Sequence, residues 1–373
     1  MAETEMILFD VDGVILSEER YFDASALTVW ELISSPNYLG LAPETYTPAP
    51  DEAVIRRIRK QVFDNDRVLH LVKTRGINAN WDMVYLTFSV QLLSFLGTLA
   101  ETDEQAVRTY LGGQVDRETL QQIGRQLAQL NIRPNYEKFV AAFEATEVKK
   151  QQLLTHLNVI AEQETGVPTN IFSRNSALWD VCQRAFQEWY LGNDKLEQPA
   201  VDPGKRGFLT DEIPIVAPEK LKFVFQSLKD KGITLGLGTG RPEVETIEPL
   251  KALGILSFFE TNRIVTAKDV LVAERRFPEQ APLSKPQPFT FVYGSIGKDR
   301  DHHEVIHTPL PLKNADKLLI VGDSPADLYA ARSAGARVAI VLTGLEGQNA
   351  REHFEQLGAD YILNDVTEVA EIV

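Results

Sequence analysis

Three short apolar runs in this chain each stop on a polar residue beside a glycine, and that pattern narrows the possible folds more than any other feature. Met-Ile-Leu-Phe at 6–9 stops on Asp10 and is followed by Val11, Asp12 and Gly13. Ile233 to Leu237 runs into Gly238, Thr239 and Gly240, and Lys317 to Val321 runs into Gly322 and Asp323. Apolar runs this short, bounded by acids and glycines, read as strands buried on both faces, which is the condition of a parallel sheet.

The segments between the strands indicate how they are joined. Pro218 to Lys231 reads as an amphipathic helix, Glu243 to Leu253 as a helix closed by Gly254, and Arg263 to Val265 as a short strand. Ala326 to Ala334 reads as a helix closed by Gly335 and Arg337 to Leu342 as a further strand, while Gly294 to Pro311 reads as irregular. Such alternation predicts an α/β fold, a Rossmann-like parallel sheet with helices on both faces. Tyr21 to Leu191 has a different character, with apolar residues at helical spacing. Its breaks fall at Ser34–Pro36, Pro43–Pro50, Gly112–Gly113, Asn131–Pro134 and Gly166–Pro168, and Asn193 to Pro214 has linker composition. The expected organisation is a discontinuous core of residues 1–19 and 216–373, interrupted by a mostly α-helical domain with its linkers at 20–215.

At 373 residues and 44% apolar composition the chain can bury two moderate cores. Its net charge of -15 argues against binding to nucleic-acid phosphates or an anionic membrane surface, both of which need clustered Lys and Arg. The single cysteine, Cys182, agrees with a reducing compartment, and the acidic N-terminus lacks the basic-then-apolar pattern of a secretory signal, so the expected location is cytoplasmic. Met83 to Ala100 is free of charge and almost long enough to span a bilayer, but Thr87, Ser89, Gln91, Ser94, Gly97 and Thr98 interrupt it, which suits a buried helix better.

In an open parallel sheet, ligands collect beyond the carboxyl ends of the strands. Asp10, Asp12, Thr239 and Asp323 would share that rim. Crowded carboxylates repel and call for a cation, and oxygen-only ligands suit a hard one such as Mg²⁺. Lys285, in Ser-Lys-Pro, offers a fixed positive charge. The combination is suited to handling phosphate.

Asp-Val-Asp-Gly-Val at 10–14, Leu-Gly-Leu-Gly-Thr-Gly-Arg-Pro at 235–242, Ser-Lys-Pro at 284–286 and Ile-Val-Gly-Asp-Ser-Pro-Ala-Asp at 320–327 together resemble the four motifs of the haloacid dehalogenase-like hydrolases, in that family's order. The resemblance covers residues 1–19 and 216–373, and the insertion is similar in position to the family's cap after the first motif. It implies that Asp10 is the nucleophile that takes the phosphoryl group. Asp12 would be the general acid and base, its carbonyl helping to hold Mg²⁺. Thr239 and the Gly240 amide would bind phosphate, and Lys285 would balance its charge. Asp323 and Asp327 would complete the metal site with Asp10 and Asp12, Asp327 either directly or through a water.

The expected activity is therefore hydrolysis of a small phosphorylated metabolite by a monomer or homodimer, with the insertion as a lid. Transfer of the aspartyl phosphate to another hydroxyl, as in a phosphomutase, is the alternative within the fold, and a non-catalytic binding protein the alternative outside it.

Other strings admit a structural and a functional reading. Thr239 would serve equally as a helix N-cap before Pro242 and Glu243. His302, His303 and His307 beside Asp299 and Asp301 read as solvated loop residues, with a second metal site as the sharper alternative. In Gly76 to Asp82, Trp81 with Asn78, Asn80 and Asp82 reads as a capped helix start with a buried indole, or as a substrate-recognition element. Gly204-Lys205-Arg206-Gly207 reads as a solvated linker turn, or as a basic loop able to close on an anion.

Overall fold

The computed structural model describes residues 3–41, 45–77, 79–130, 132–144, 146–196 and 198–373. It divides into two compact units, Met1–Glu18 with Leu209–Val373, and Glu19–Phe208. The first is the α/β unit. Its strands are β1 (Met6–Phe9), β2 (Thr234–Gly238), β3 (Ile264–Val265), β4 (Leu318–Gly322), β5 (Arg337–Val341) and β6 (Tyr361–Leu363), arranged in the order β3-β2-β1-β4-β5-β6. Every pairing is parallel, and β1 lies at the centre with Phe9 opposite Leu237 on one side and Val321 on the other.

The two faces of this sheet bury different clusters, as period-two alternation requires. Ile7, Phe9, Leu235, Leu237, Leu319 and Val321 pack with Leu221, Phe225 and Leu228 of the helix Pro218–Asp230. Leu8, Ile320, Val338 and Ile340 pack on the opposite face with Phe291, from the helix Phe289–Ile296, and with Leu328 and Ala331, from the helix Pro325–Ala334. Phe9 meets Phe225 edge-on at 5.5 Å. Each large side chain so buried contributes about 1.5–3 kcal/mol, so β1, with Ile7, Leu8 and Phe9 at 0% exposure, is firmly held where its end carries Asp10.

The chain rejoins this unit at Leu209, earlier than the linker composition up to Pro214 suggests. Ser17 N donates to Ile213 O at 2.8 Å and Ile215 N to Ile15 O at 2.9 Å, which ties the returning segment to the loop after β1. The stretch Gly294 to Pro311 is not irregular throughout, since it takes in the end of the helix Phe289–Ile296 and the short helix His302–Ile306.

The second unit is helical. Its longest element, Asn80–Leu111, contains the uncharged run and is bent at Asp103, whose φ of -146° leaves the helical region. Length and apolarity would let this helix cross a membrane, but its apolar window is 78% buried inside the protein. Gly97 brings it close to the helix Gln152–Thr165, where a Cβ would lie 2.6 Å from Glu164 O. Helix ends fall at Ser34, Leu111 and Thr165, the last capped by Gly166 at φ +70°. Pro43, Asn78 and Asn131 lie outside the described residues.

The Gly-Lys-Arg-Gly string is the clearest departure from the sequence reading. Lys205 is 3% exposed, and its Nζ meets Glu31 Oε1 at 2.7 Å and Glu188 Oε2 at 2.8 Å. Trp189 Nε1 donates to Glu31 Oε2 at 2.7 Å, completing a buried charged cluster. Two facing carboxylates, rather than water or a ligand, take the lysine.

Candidate active site

Asp10 extends β1 by one residue: its N–H donates to Val321 O at 2.8 Å. Its carboxylate is fixed at both oxygens, Oδ1 accepting from Val11 N at 2.7 Å and Oδ2 facing Lys285 Nζ at 2.9 Å. The chain then doubles back through Gly13, with Ile15 N and Leu16 N both donating to Val11 O at 2.9 Å. Gly13 is required here for two reasons. Its φ is +69°, and a Cβ would sit 2.0 Å from Asp323 Oδ2. Gly344 imposes the same restriction from the other side, a Cβ there falling 2.4 Å from that oxygen.

Asp323 follows β4, and the helix Pro325–Ala334 begins just beyond it. Ser324 and Asp327 form a reciprocal capping box, with Ser324 Oγ donating to Asp327 Oδ2 at 2.6 Å. Asp327 is fully buried and gives its other oxygen, Oδ1, to Lys285 Nζ at 2.7 Å. Lys285 also donates to Gly238 O at 3.3 Å. Asp10, Asp323 and Asp327 each present a carboxylate oxygen within 4.8 Å of the other two.

The electrostatics of this cluster follow from burial and crowding. Burial pushes Asp10 up to about 7; Lys285 pulls it back, while Asp327 and Asp12 push it further up. Asp323 is likewise raised, by burial and then by Asp327 and Asp10. Burial alone would lower Lys285, but Asp10 and Asp327 outweigh that and hold it above the ordinary lysine value. One ammonium therefore leaves the carboxylates under-compensated. Three oxygen donors with excess negative charge fit a hard divalent cation.

Thr239 lies past β2 and is 1% exposed; its N–H donates to Val265 O at 3.0 Å. It is not the cap of the following helix, because Pro242 occupies that position and Glu243–Ala252 starts beyond it. Its hydroxyl instead accepts from Arg241 N at 3.1 Å, which closes a tight turn over an exposed Gly240 with open space at its Cβ position. A polar turn with free room beside it suits an anion.

Asp12 does not join the three carboxylates. Its Oδ1 accepts from Arg241 Nε at 2.7 Å and lies 2.6 Å from Arg241 Nη2, and the guanidinium reaches Glu212 Oε1 through Nη1 at 2.9 Å. Sequence reasoning missed both partners. Arg241 stands inside the quoted motif, so its position was visible, but Glu212 lies in a stretch of linker composition that carries no such signal.

The remaining candidates lie elsewhere. His303 stacks on His307 with ring centroids 4.1 Å apart, and His302 packs edge-on to Tyr293. None of the three belongs to the acidic cluster. In the helical unit Asp82 accepts from Trp179 Nε1 at 2.7 Å, so its carboxylate supports the internal packing, and Trp81 is half-buried beside it.

Parallel strand order and a carboxylate rim at the strand ends define a Rossmann-like architecture with an acidic site beyond the carboxyl ends of its strands. Comparison with known proteins agrees. A HAD-hydrolase-like family model matches residues 283–369. An X-ray structure from the Northeast Structural Genomics Consortium is 37% identical over 99% of this chain and 98% of its own, with a TM-score of 0.90. A phosphoglycolate phosphatase of Aquifex aeolicus (strain VF5) is 25% identical over 43% of this chain, and the match spans 63% of that relative's length. The chain belongs to the haloacid dehalogenase-like hydrolase superfamily.

Proposed function

We propose that this protein is a Mg²⁺-dependent phosphatase that cleaves a small phosphorylated metabolite through an aspartyl phosphate on Asp10. The observation that carries the reading is the separation of roles among the acids. Asp10 is clamped by Val11 N and Lys285 with Asp323 and Asp327 beside it, while Asp12, two residues on, is held apart by Arg241. A nucleophile and a proton carrier need such different settings.

Asp10 attacks phosphorus and the ester P–O bond breaks, Asp12 giving its proton to the departing oxygen. Asp12 then takes a proton from the water that attacks the aspartyl phosphate, which frees Asp10 and inorganic phosphate. Thr239 and Gly240 would hold phosphoryl oxygens, and Lys285 would keep Asp10 oriented and offset its charge. Asp10, Asp323 and Asp327 would hold Mg²⁺, with the Asp12 carbonyl as a further ligand; the cation supplies charge neutralisation for the crowded carboxylates and the phosphoryl group.

Hydrolysis is preferred to phosphoryl transfer within the substrate because the Aquifex aeolicus relative is a phosphatase. Short carboxylated phosphate esters are therefore sensible first substrates. A panel of phosphorylated metabolites with 5 mM Mg²⁺ should yield multiple-turnover phosphate release from at least one compound, and EDTA should abolish it. Isomerised sugar phosphate without net phosphate release would favour the mutase.

The raised carboxyls give a further expectation. Asp10 moves from 3.8 to about 7 on folding, so its contribution to stability is full below 3.8 and is lost as pH rises through about 7. Mg²⁺ requires the ionised form, so saturating Mg²⁺ should raise the Tm by several degrees at pH 8 and by much less at pH 5.5. Equal shifts at both pH values in a scanning calorimeter would rule out these carboxylates as the ligands.

A further inference from the structure

We propose that Arg241 is the positioning residue for Asp12, with Glu212 as its anchor; the inference rests on the phosphatase reading above. Arg241 is 2% exposed, and contacts on several sides fix it. Its N–H donates to Thr239 Oγ1 at 3.1 Å, and its carbonyl accepts from Ala267 N at 2.9 Å. Nη1 meets Glu212 Oε1 at 2.9 Å and Glu245 O at 3.2 Å. The opposite edge of the guanidinium, Nε and Nη2, then has one orientation, and Asp12 Oδ1 sits on it at 2.7 and 2.6 Å.

The geometry fits a positioning task better than simple charge pairing. Glu212 is 1% exposed at its side chain whereas Asp12 is 30% exposed, so one end of the guanidinium is built into the core and the other is presented at the rim. A planar fork held at one edge transmits its orientation to whatever binds the other, which a lysine ammonium cannot do. Attachment through Oδ1 fixes the Asp12 carboxylate while keeping it out of the Asp10, Asp323 and Asp327 cluster, where a fourth negative charge would add repulsion. Arg241 thereby links the phosphate-binding turn at Thr239 to the proton carrier, so both are set by one side chain.

Leaving-group chemistry separates this role from a structural one. An alkyl phosphate needs a proton on its departing oxygen, whereas p-nitrophenolate leaves without one, and kcat/KM reports the steps up to that departure. The experiment measures kcat/KM on glycerol 2-phosphate and on p-nitrophenyl phosphate, with Mg²⁺, for wild type, Arg241→Met, Arg241→Lys, Asp12→Asn and the double variant Arg241→Met/Asp12→Asn. Because Arg241→Met removes the guanidinium that faces buried Glu212, Arg241→Met/Glu212→Gln is measured alongside, and circular dichroism verifies folding.

The expected result is a loss of about 10²-fold on the alkyl ester and under about 10-fold on the aryl ester for both Met-containing variants with an intact Asp12. Arg241→Lys should recover part of the loss, and Arg241→Met should cost nothing further once Asp12 is Asn. Equal losses on the two esters, or the same fold-loss with and without Asp12, would overturn the positioning role. Asp10→Asn in the same assay separates the levels. If it stays active, the aspartyl-phosphate reading of Asp10 falls and this inference with it; if it is inactive while the ester losses are equal, only the inference falls.

Discussion

Asp10→Asn should abolish phosphate release, by about 10⁴-fold or more, while leaving the protein folded and no less stable above pH 7. The substitution is isosteric, so Val11 N keeps an acceptor and the β1 core of Ile7, Leu8 and Phe9 is undisturbed. Asparagine cannot form the acyl phosphate. Lys285 loses one carboxylate but retains Asp327 at 2.7 Å, so no buried cation is left alone. The native carboxyl, raised to about 7 by burial, loses its stabilising contribution as pH rises from 3.8 through about 7, so above that value the cost is complete and the neutral amide removes it. Loss of activity with an equal or higher Tm at pH 8 identifies a group whose setting serves chemistry at the expense of stability. Steady-state phosphate release and thermal melts on the same samples check it, and residual activity near wild type would exclude Asp10 as nucleophile.

The parts of this architecture that the sequence revealed are those fixed by short-range rules. β1, β2, β4 and β5 are runs of apolar residues buried on both faces, and their polar ends need no tertiary information to be noticed. Helix ends at Gly254 and Gly335 were equally plain, because a chain that must turn left-handed after a helix takes glycine there. The helix Phe289–Ile296 escaped because Phe289 to Gly294 are buried all round, which removes the period that marks a helix. β6 is three residues long with its first two half-exposed, and gives little signal. The helix Ala267–Arg276 was overlooked despite its Thr266 and Asp269 capping box, a readable signature.

At the rim the same division holds. Asp10, Asp323, Asp327 and Lys285 occur in strings whose order is visible along the chain, and the structure brings them together. The partner of Asp12 is not legible that way. A charged residue read from sequence looks solvated, and only folding shows that Arg241 meets a glutamate in a stretch that otherwise resembles a linker. Lys205 carries this furthest, since flanking glycines suggest a flexible surface turn and the side chain is enclosed.

That enclosure makes Lys205→Met the second large effect expected, on stability. Lys205, Glu31 and Glu188 are between 0% and 1% exposed at their side chains, so neither glutamate can turn to bulk water when the ammonium is removed. A buried ion pair adds little net stability when compared with a well-packed apolar replacement, but deleting one member leaves the other's desolvation cost uncompensated, about 3–5 kcal/mol. Here Glu31 loses its ammonium partner, while Glu188 keeps Arg184 Nε at 3.5 Å and Val201 N at 2.8 Å. Glu31 is already pushed up to about 7 by burial even with Lys205 pulling it down. Without the lysine it rises further and folds protonated, so its stabilising contribution, full below 4.5, goes on falling above about pH 7, where that of the native protein has stopped falling. The deficit should therefore be largest near pH 8 and shrink towards pH 5. Lys205→Met/Glu31→Gln/Glu188→Gln removes all three charges and should recover most of the loss, because the amide oxygen that replaces the Glu31 carboxylate can still accept from Trp189 Nε1. Urea unfolding followed by tryptophan fluorescence at the two pH values measures both effects. A single variant within about 0.5 kcal/mol of wild type at pH 8 would show that water reaches this cluster and that the lysine is not what neutralises it.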